Sequence, residues 1–293
     1  MNRDAYVLAT DSCCDLPADL AAELGLLVLE FPFSMNGEQH FDDLGRSMSA
    51  ATFYAAMREG ATPTTAQVPL AEYLSAFAAA AVAATPLLFL SFSSGLSGTF
   101  DAALVAREVV LAEYPDARIR VVDTLSASAH QGLLVLEAAR RRDAGAGFDE
   151  LAEWVESSRC HINGYFTIDA LEALRRGGRV SDLAAFAGTM LDVKHILRIN
   201  GDGELVIDRP VRGRKKSLRE IAEIFERRTG GAAQGTVVIA HGDALKEALA
   251  LESLVRERAT VREVLVFDVG PVIGSHTGPG MVAVVFWGPE RDA

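Results

Sequence analysis

Leu90-Ser91-Phe92-Ser93-Ser94-Gly95-Leu96-Ser97-Gly98-Thr99-Phe100 joins an apolar run at 86–90 to a helical pattern at 101–113. The run is short and almost wholly apolar, as a strand buried on both faces is. The pattern after it places Ala102, Val105 and Val109 on one face of a helix. Strand, turn and helix in that order form the unit of a parallel α/β sheet. The helix start supplies unpaired N–H groups and the positive end of the helix dipole. Gly95 and Gly98 let the backbone approach a ligand closely. Ser93, Ser94, Ser97 and Thr99 add donors that carry no charge. The turn reads as a cradle for a small anion, a carboxylate or a phosphate; the plainer reading is a serine-rich helix cap.

The alternation continues outward from this unit. Residues 5–10 and 26–31 read as strands, with Asp15 and Pro17 marking a helix start between them. Ser49 caps a helix running to Arg58, and 71–84 is a further apolar helix. A strand at 118–122 is followed by helices at 128–142 and 148–157. A seam falls near 158–161. Beyond it come a strand at 162–168, helices at 170–176 and 181–190, and a hairpin of 195–199 and 205–210 around Gly201-Asp202-Gly203. Helices at 216–228 and 244–258 and strands at 236–240, 263–267 and 281–287 complete the chain. The expected fold is α/β in two domains: 1–160 with a mostly parallel sheet, and 161–293 with a mixed sheet.

A chain of 293 residues that is 49% hydrophobic and 23% charged can bury a large core. Its formal net charge of -12 argues against a general nucleic-acid binder and against electrostatic docking on anionic lipid. No leader-like segment opens the sequence and no apolar run approaches a bilayer span, so a soluble cytoplasmic protein is expected. Cys13, Cys14 and Cys160 have neither disulfide-framework nor zinc-site spacing, and no metal is expected.

In open α/β sheets ligands sit beyond the carboxyl ends of the strands. Thr10-Asp11-Ser12, Ser93-Ser94-Gly95 and Asp123-Thr124 occupy such ends, and the loop 62–67 precedes a helix. Asp11 and Asp123 read as loop organisers. The stretch 270–280 reads as a Gly/Pro-rich turn carrying His276, where a packed imidazole has little purpose. His40, His130, His161, His195 and His241 read as structural or surface residues. A serine acyl hydrolase using Ser94 and His276 is the alternative, weakened by the lack of a G-x-S-x-G elbow and of an evident orienting acid. A nucleotide binder lacks both the Walker pattern and G-x-G-x-x-G.

Together Thr10-Asp11-Ser12 with Asp15-Leu16-Pro17, Thr65-Ala66-Gln67, Ser93 through Thr99, Leu171 through Ser181, and His276-Thr277-Gly278-Pro279-Gly280 resemble the DegV family of bacterial fatty-acid-binding proteins. The resemblance implies that one long-chain fatty acid lies between two domains, its carboxyl at the loops of 1–160 and its tail in a tunnel of 161–293. It implies no cofactor and no bond chemistry by the chain itself. The carboxylate would be presented to a separate ATP-dependent fatty acid kinase, which makes the acyl phosphate. Residue by residue, Thr65, Ser94, Gly95 and His276 would hold the carboxyl, with Arg179 nearby. Asp11, Ser12, Ser93, Ser97 and Asp123 would support them. Arg212, Arg214 and Lys215 would dock the kinase. Transient membrane contact is compatible with that role; an integral span is not. Two departures stand out: Ala66-Gln67-Val68 where the family has Ser-Gln-Pro, and Ala129-His130 in place of a glycine-spaced pattern.

Overall fold

The computed structural model describes residues 5–179 and 193–292, so the helix expected at 181–190 lies outside the described residues. The first half begins with β1 (Val7–Asp11), α1 (Ala18–Glu23) and β2 (Leu27–Leu29). Next come β3 (Phe31–Met35), β4 (Glu38–Asp42), α2 (Ala50–Arg58) and β5 (Thr64–Thr65). It continues through α3 (Leu70–Val82), β6 (Leu87–Ser91), α4 (Thr99–Glu113) and β7 (Ile119–Asp123). The helices α5 (Ala129–Asp143) and α6 (Phe148–Ser158) close it. Its main sheet is parallel, in the order β2-β1-β6-β7. Every residue of β6 is buried, which is why its sequence is apolar without alternation.

The strand expected at 26–31 is two. Glu30 is exposed, and the chain leaves the parallel sheet there to form a separate three-stranded sheet, β4-β3-β5. The Ser12 hydroxyl accepts the Phe31 N–H at 3.0 Å just after this change of sheet. Helix α4 also differs from expectation. Its buried face is Thr99, Ala103, Ala106 and Val110, while Val105 and Val109 are about half exposed (51% and 50%). The alanines let α4 lie close against its neighbours, and the bulkier valines turn outward.

The second half holds β8 (Ile162–Thr167), α7 (Glu172–Gly177), β9 (Val193–Ile199) and β10 (Leu205–Arg212). It goes on with α8 (Arg214–Thr229), β11 (Gln234–His241), α9 (Leu245–Arg256) and β12 (Val261–Asp268). The last elements are α10 (Pro271–Thr277) and β13 (Val282–Trp287). The sheet order is β10-β9-β8-β13-β11-β12, with only the β11–β12 pair parallel, so the sheet is mixed. The stretch expected to be a Gly/Pro-rich turn is largely the helix α10. Pro271 at its first turn has no N–H to leave unpaired, and Gly278 follows its last residue.

Helix α5 ties the halves together. Leu133, Leu134 and Ala138 share one buried cluster with Leu8, Leu88 and Leu90 of the parallel sheet and with Ile162, Phe166 and Val285 of the mixed sheet. Each such leucine, fully buried, stabilises the fold by roughly 1.5–3 kcal/mol. The two sheets therefore share a core on either side of α5, and a cleft forms beside its first turn.

Candidate functional site

That cleft is a cavity of about 250 Å³ whose walls come from both halves of the chain. Phe31, Phe92 and Leu96 line one side; Phe166, Ile199, Leu205 and Val285 line the other. Its polar groups are few: Thr65, Gln67, Ser97, Ser128, His130, His276 and Thr277, with the exposed Arg179. A mostly apolar cavity with a few convergent polar groups is the usual form of a small-molecule site.

The central polar contact pairs residues 211 positions apart. Thr65 Oγ1 on β5 lies 2.8 Å from His276 Nε2 on α10. Burial, helped by the positive charges of Arg179 and Arg176, pushes the His276 pKa down to about 4. The imidazole is therefore neutral near pH 7. Its Nδ1 is buried with no hydrogen-bond partner and packs against Gly177, where an added Cβ would lie 2.2 Å away. A buried lone pair costs less than a buried unpaired N–H, so the proton belongs on Nε2. His276 then donates to Thr65 Oγ1, which leaves the Thr65 hydroxyl proton free for a ligand.

Arg179 is exposed, lines the cavity and donates to the Gly177 carbonyl beside His276. Ser94 and Gly95 do not line the cavity. The reason is a docking contact: Ser93 Oγ donates to the Gly203 carbonyl at 2.8 Å, and Gly95 is packed so tightly on Gly203 that a Cβ would lie 2.9 Å from its backbone. That end of the turn is spent on the β9–β10 hairpin. Ser97, three residues on, reaches the cavity wall and hydrogen-bonds Thr99 Oγ1 at 3.0 Å.

The remaining polar residues brace these loops. Asp11 accepts the Phe92 N–H at 2.8 Å and the Gln131 side-chain amide at 3.0 Å, and burial pushes its pKa up to about 7. Asp123 Oδ1 accepts the N–H groups of Ser94 and Leu125. Asp15 bridges Ser128 Oγ, at 2.5 Å, and the Gly270 N–H, at 2.9 Å, at the start of α10.

Of the basic segment, Arg212 and Lys215 are exposed. Arg214 is not free: it donates to the Gly280 carbonyl and lies 3.9 Å from Asp169, which fastens α8 to the turn after α10. A Ser94–His276 hydrolase pair is not formed, since His276 is bonded to Thr65 and its Nδ1 meets no carboxylate. Among the described residues no cluster of three or more His, Cys, Asp or Glu could hold a metal ion, and no helix is long and apolar enough to cross a membrane. Sequence reasoning read His130 as a structural or surface residue and did not single out Ser128; both line the cavity from the start of α5.

Comparison with known proteins converges on one family. The family described as "Uncharacterised protein, DegV family" matches residues 6–288. A DegV domain-containing protein of Clostridium perfringens is 38% identical over 287 residues, covering 98% of this chain and 99% of its own. Among solved structures, a fatty-acid-binding DegV family protein of Thermus thermophilus is 31% identical with a TM-score of 0.86, covering 97% of this chain and 99% of its own. A DegV lipid-binding protein of Thermotoga maritima, 26% identical, also superposes with a TM-score of 0.86, covering 98% and 99%.

Proposed function

The chain belongs to the DegV family, and from that premise we propose that it binds one long-chain fatty acid in the cavity between its sheets. The observation that carries this reading is the Thr65–His276 pair, held at 2.8 Å on the wall of an otherwise largely apolar cavity. In this reading Thr65 donates to the carboxylate, His276 fixes the threonine hydroxyl, and Ser97, on turning its hydroxyl from Thr99 to the ligand, takes the part assigned from sequence to Ser94. Arg179 and Arg176 supply a positive potential that keeps the ligand ionised and the imidazole neutral.

The tail sets affinity and the hydroxyls set orientation. Fourteen methylenes at roughly 0.8 kcal/mol each offer on the order of 11 kcal/mol before the costs of association. One neutral hydrogen bond adds about 1 kcal/mol net. Neutral donors orient the carboxylate without trapping it in a tight ion pair, which suits a group that must react elsewhere. The chain itself breaks no bond in this reading. It presents the carboxylate to a separate ATP-dependent kinase for acyl-phosphate formation, with Arg212 and Lys215 as the docking cations.

Native mass spectrometry of the purified protein, followed by organic extraction, tests the binding step. One stoichiometric fatty acid is expected. A protein that is empty and takes up no added fatty acid overturns the reading. Thr65→Ala should retain tail affinity within about tenfold, one hydrogen bond's share, while acyl-phosphate formation with a cognate kinase falls further. Unchanged acyl-phosphate formation would remove Thr65 from the carboxylate site.

A further inference from the structure

Gln67 stands at the mouth of the cavity with an amide that is not engaged by the fold. It lines the cavity, it is exposed, and among the described residues its side chain has no hydrogen-bond partner. It follows Thr65 by two residues and lies against Gly98, the neighbour of Ser97: a Cβ at Gly98 would be 2.5 Å from Gln67 Nε2 and 3.4 Å from its Cδ. This end of the cavity is the open one. Thr65, Ser97 and His276 are half-buried and Ala66 and Gln67 are exposed, whereas Phe31, Phe92 and Val285 deeper in the wall are buried. The amide also has a seat. Gly98 takes the position where Ser, Thr, Asp or Asn usually caps a helix, yet it gives α4 no capping side chain. Its φ of -73° makes no demand for glycine. What glycine supplies at 98 is room for Gln67.

A carboxylate accepts at about four lone-pair sites, and the hydroxyls at the mouth cannot fill them. Thr65 has one proton to give. Ser97 gives its proton only after releasing Thr99 Oγ1. His276 is bonded to Thr65. Arg179 is exposed and donates to the Gly177 carbonyl, so its charge acts through water, where salt screens it. The Gln67 amide carries two N–H donors and has no bond to release. A hydrogen bond to an ionised acceptor is roughly twice as strong as one between neutral groups. An amide at this mouth therefore favours a carboxylate over an alcohol head group.

We propose that Gln67 is a specificity residue: its amide donates to the ligand's carboxylate, and so selects a free fatty acid over a neutral lipid with the same tail. The inference rests on the fatty-acid reading of the cavity and adds the group that recognises the acid. The apolar walls bind either tail equally, so discrimination falls to the mouth. Gly98 serves the same end by keeping the amide beside Ser97 and Thr65.

The test titrates delipidated wild type and variants with tetradecanoic acid and tetradecan-1-ol at neutral pH. The acid-to-alcohol affinity ratio should fall about tenfold in Gln67→Leu, the share of one charge-assisted hydrogen bond. Gln67→Glu keeps the shape, loses the N–H donors and adds a like charge, so it should lower the ratio further. Gly98→Ala, whose methyl displaces the amide, should lower it as Gln67→Leu does. In wild type, where no variant has to fold, the Gln67 side-chain N–H resonances should shift with the acid and stay in place with the alcohol. Equal ratios in wild type and Gln67→Leu overturn the proposal. So do N–H resonances that respond equally to both ligands. Tight binding of tetradecanoic acid with either result leaves the fatty-acid reading standing; a wild type that binds no tetradecanoic acid overturns both.

Discussion

A Cβ added at Gly177 would sit 2.2 Å from His276 Nδ1 and 3.1 Å from Cε1, although Gly177 is the last residue of a helix. Two effects of opposite sign meet there. Alanine in place of glycine in a helix stabilises by roughly 0.5–1 kcal/mol. Overpacking a filled site costs about 1–3 kcal/mol. A side-chain end can move aside cheaply when it is loose, but His276 is buried and bonded to Thr65 at 2.8 Å. Gly177→Ala should therefore destabilise the fold and weaken fatty-acid binding together, as read by denaturant unfolding and ligand titration. A stabilised variant with unchanged affinity would mean that the imidazole is free to swing and that the Thr65 contact does not orient the ligand.

At the scale of the element, α10 is held by its first turn. Asp15 accepts the Gly270 N–H, and the Val272 backbone hydrogen-bonds Asp42. Both carboxyls are buried, and Asp42 Oδ2 has no hydrogen-bond partner. Burial pushes the Asp42 pKa from 3.8 up to about 7, with the charges of Asp43 and Glu30 adding to the rise. Burial, then the nearby Asp42, pushes Asp15 well above the usual carboxylate range. A raised folded pKa means that the stability Asp42 contributes is full below about pH 4 and is lost as pH rises through 7. His276 runs the other way: its pKa falls from 6.5 to about 4 on burial, so its contribution is present above 6.5 and lost on acidification through 4. Asp42→Asn should therefore gain stability relative to wild type between pH 5 and pH 8, by on the order of a few kcal/mol at the upper end. Thermal unfolding across that range measures it, and a constant offset would show that Asp42 does not titrate between pH 5 and pH 8. The sequence could not disclose this clamp, because residues 15, 42 and 270 meet only in the tertiary fold. The β-α alternation was legible where strands are buried on both faces, as at Leu87–Ser91. The β4-β3-β5 sheet was not, since β4 reads Glu-Gln-His-Phe-Asp and β5 is two residues long. The site was half legible. His276 stood out by type and Thr65 entered only through the family resemblance, whereas Ser97 was separated from Ser94 only by the Ser93–Gly203 contact with a distant hairpin. His130, at the start of a helix, carried no local signal of a cavity.

Across the whole molecule, a net charge of -12 coexists with exposed cations around one region. Arg176 and Arg179 lie close enough to act on His276 from α7 and its end, Arg175 is exposed on the same helix, and Arg212, Lys215 and Lys216 are exposed where β10 passes into α8. Arg214 ties that second group to the turn beyond α10 through Gly280. Cations set on an acidic protein steer an acidic partner and little else, and their effect is screened by salt. In the proposed reading lipid binding would use different residues, because the cavity walls come from both sheets and a bound acyl chain would fill the space between them. Ligand at a hundredfold excess over its Kd stabilises by about 2.7 kcal/mol, which at roughly 2–4 °C per kcal/mol raises Tm by about 5–10 °C. Arg212→Glu should leave that thermal shift intact. With a cognate kinase at low salt, the same variant should form acyl phosphate at least about tenfold more slowly, equivalent to one lost charge contact of about 1.4 kcal/mol. The wild-type rate should fall toward that of the variant as salt rises. Loss of the thermal shift in Arg212→Glu would instead assign the basic segment to the fold or the cavity, and a kinase rate that ignores both the charge reversal and the salt would place the docking face elsewhere on the molecule.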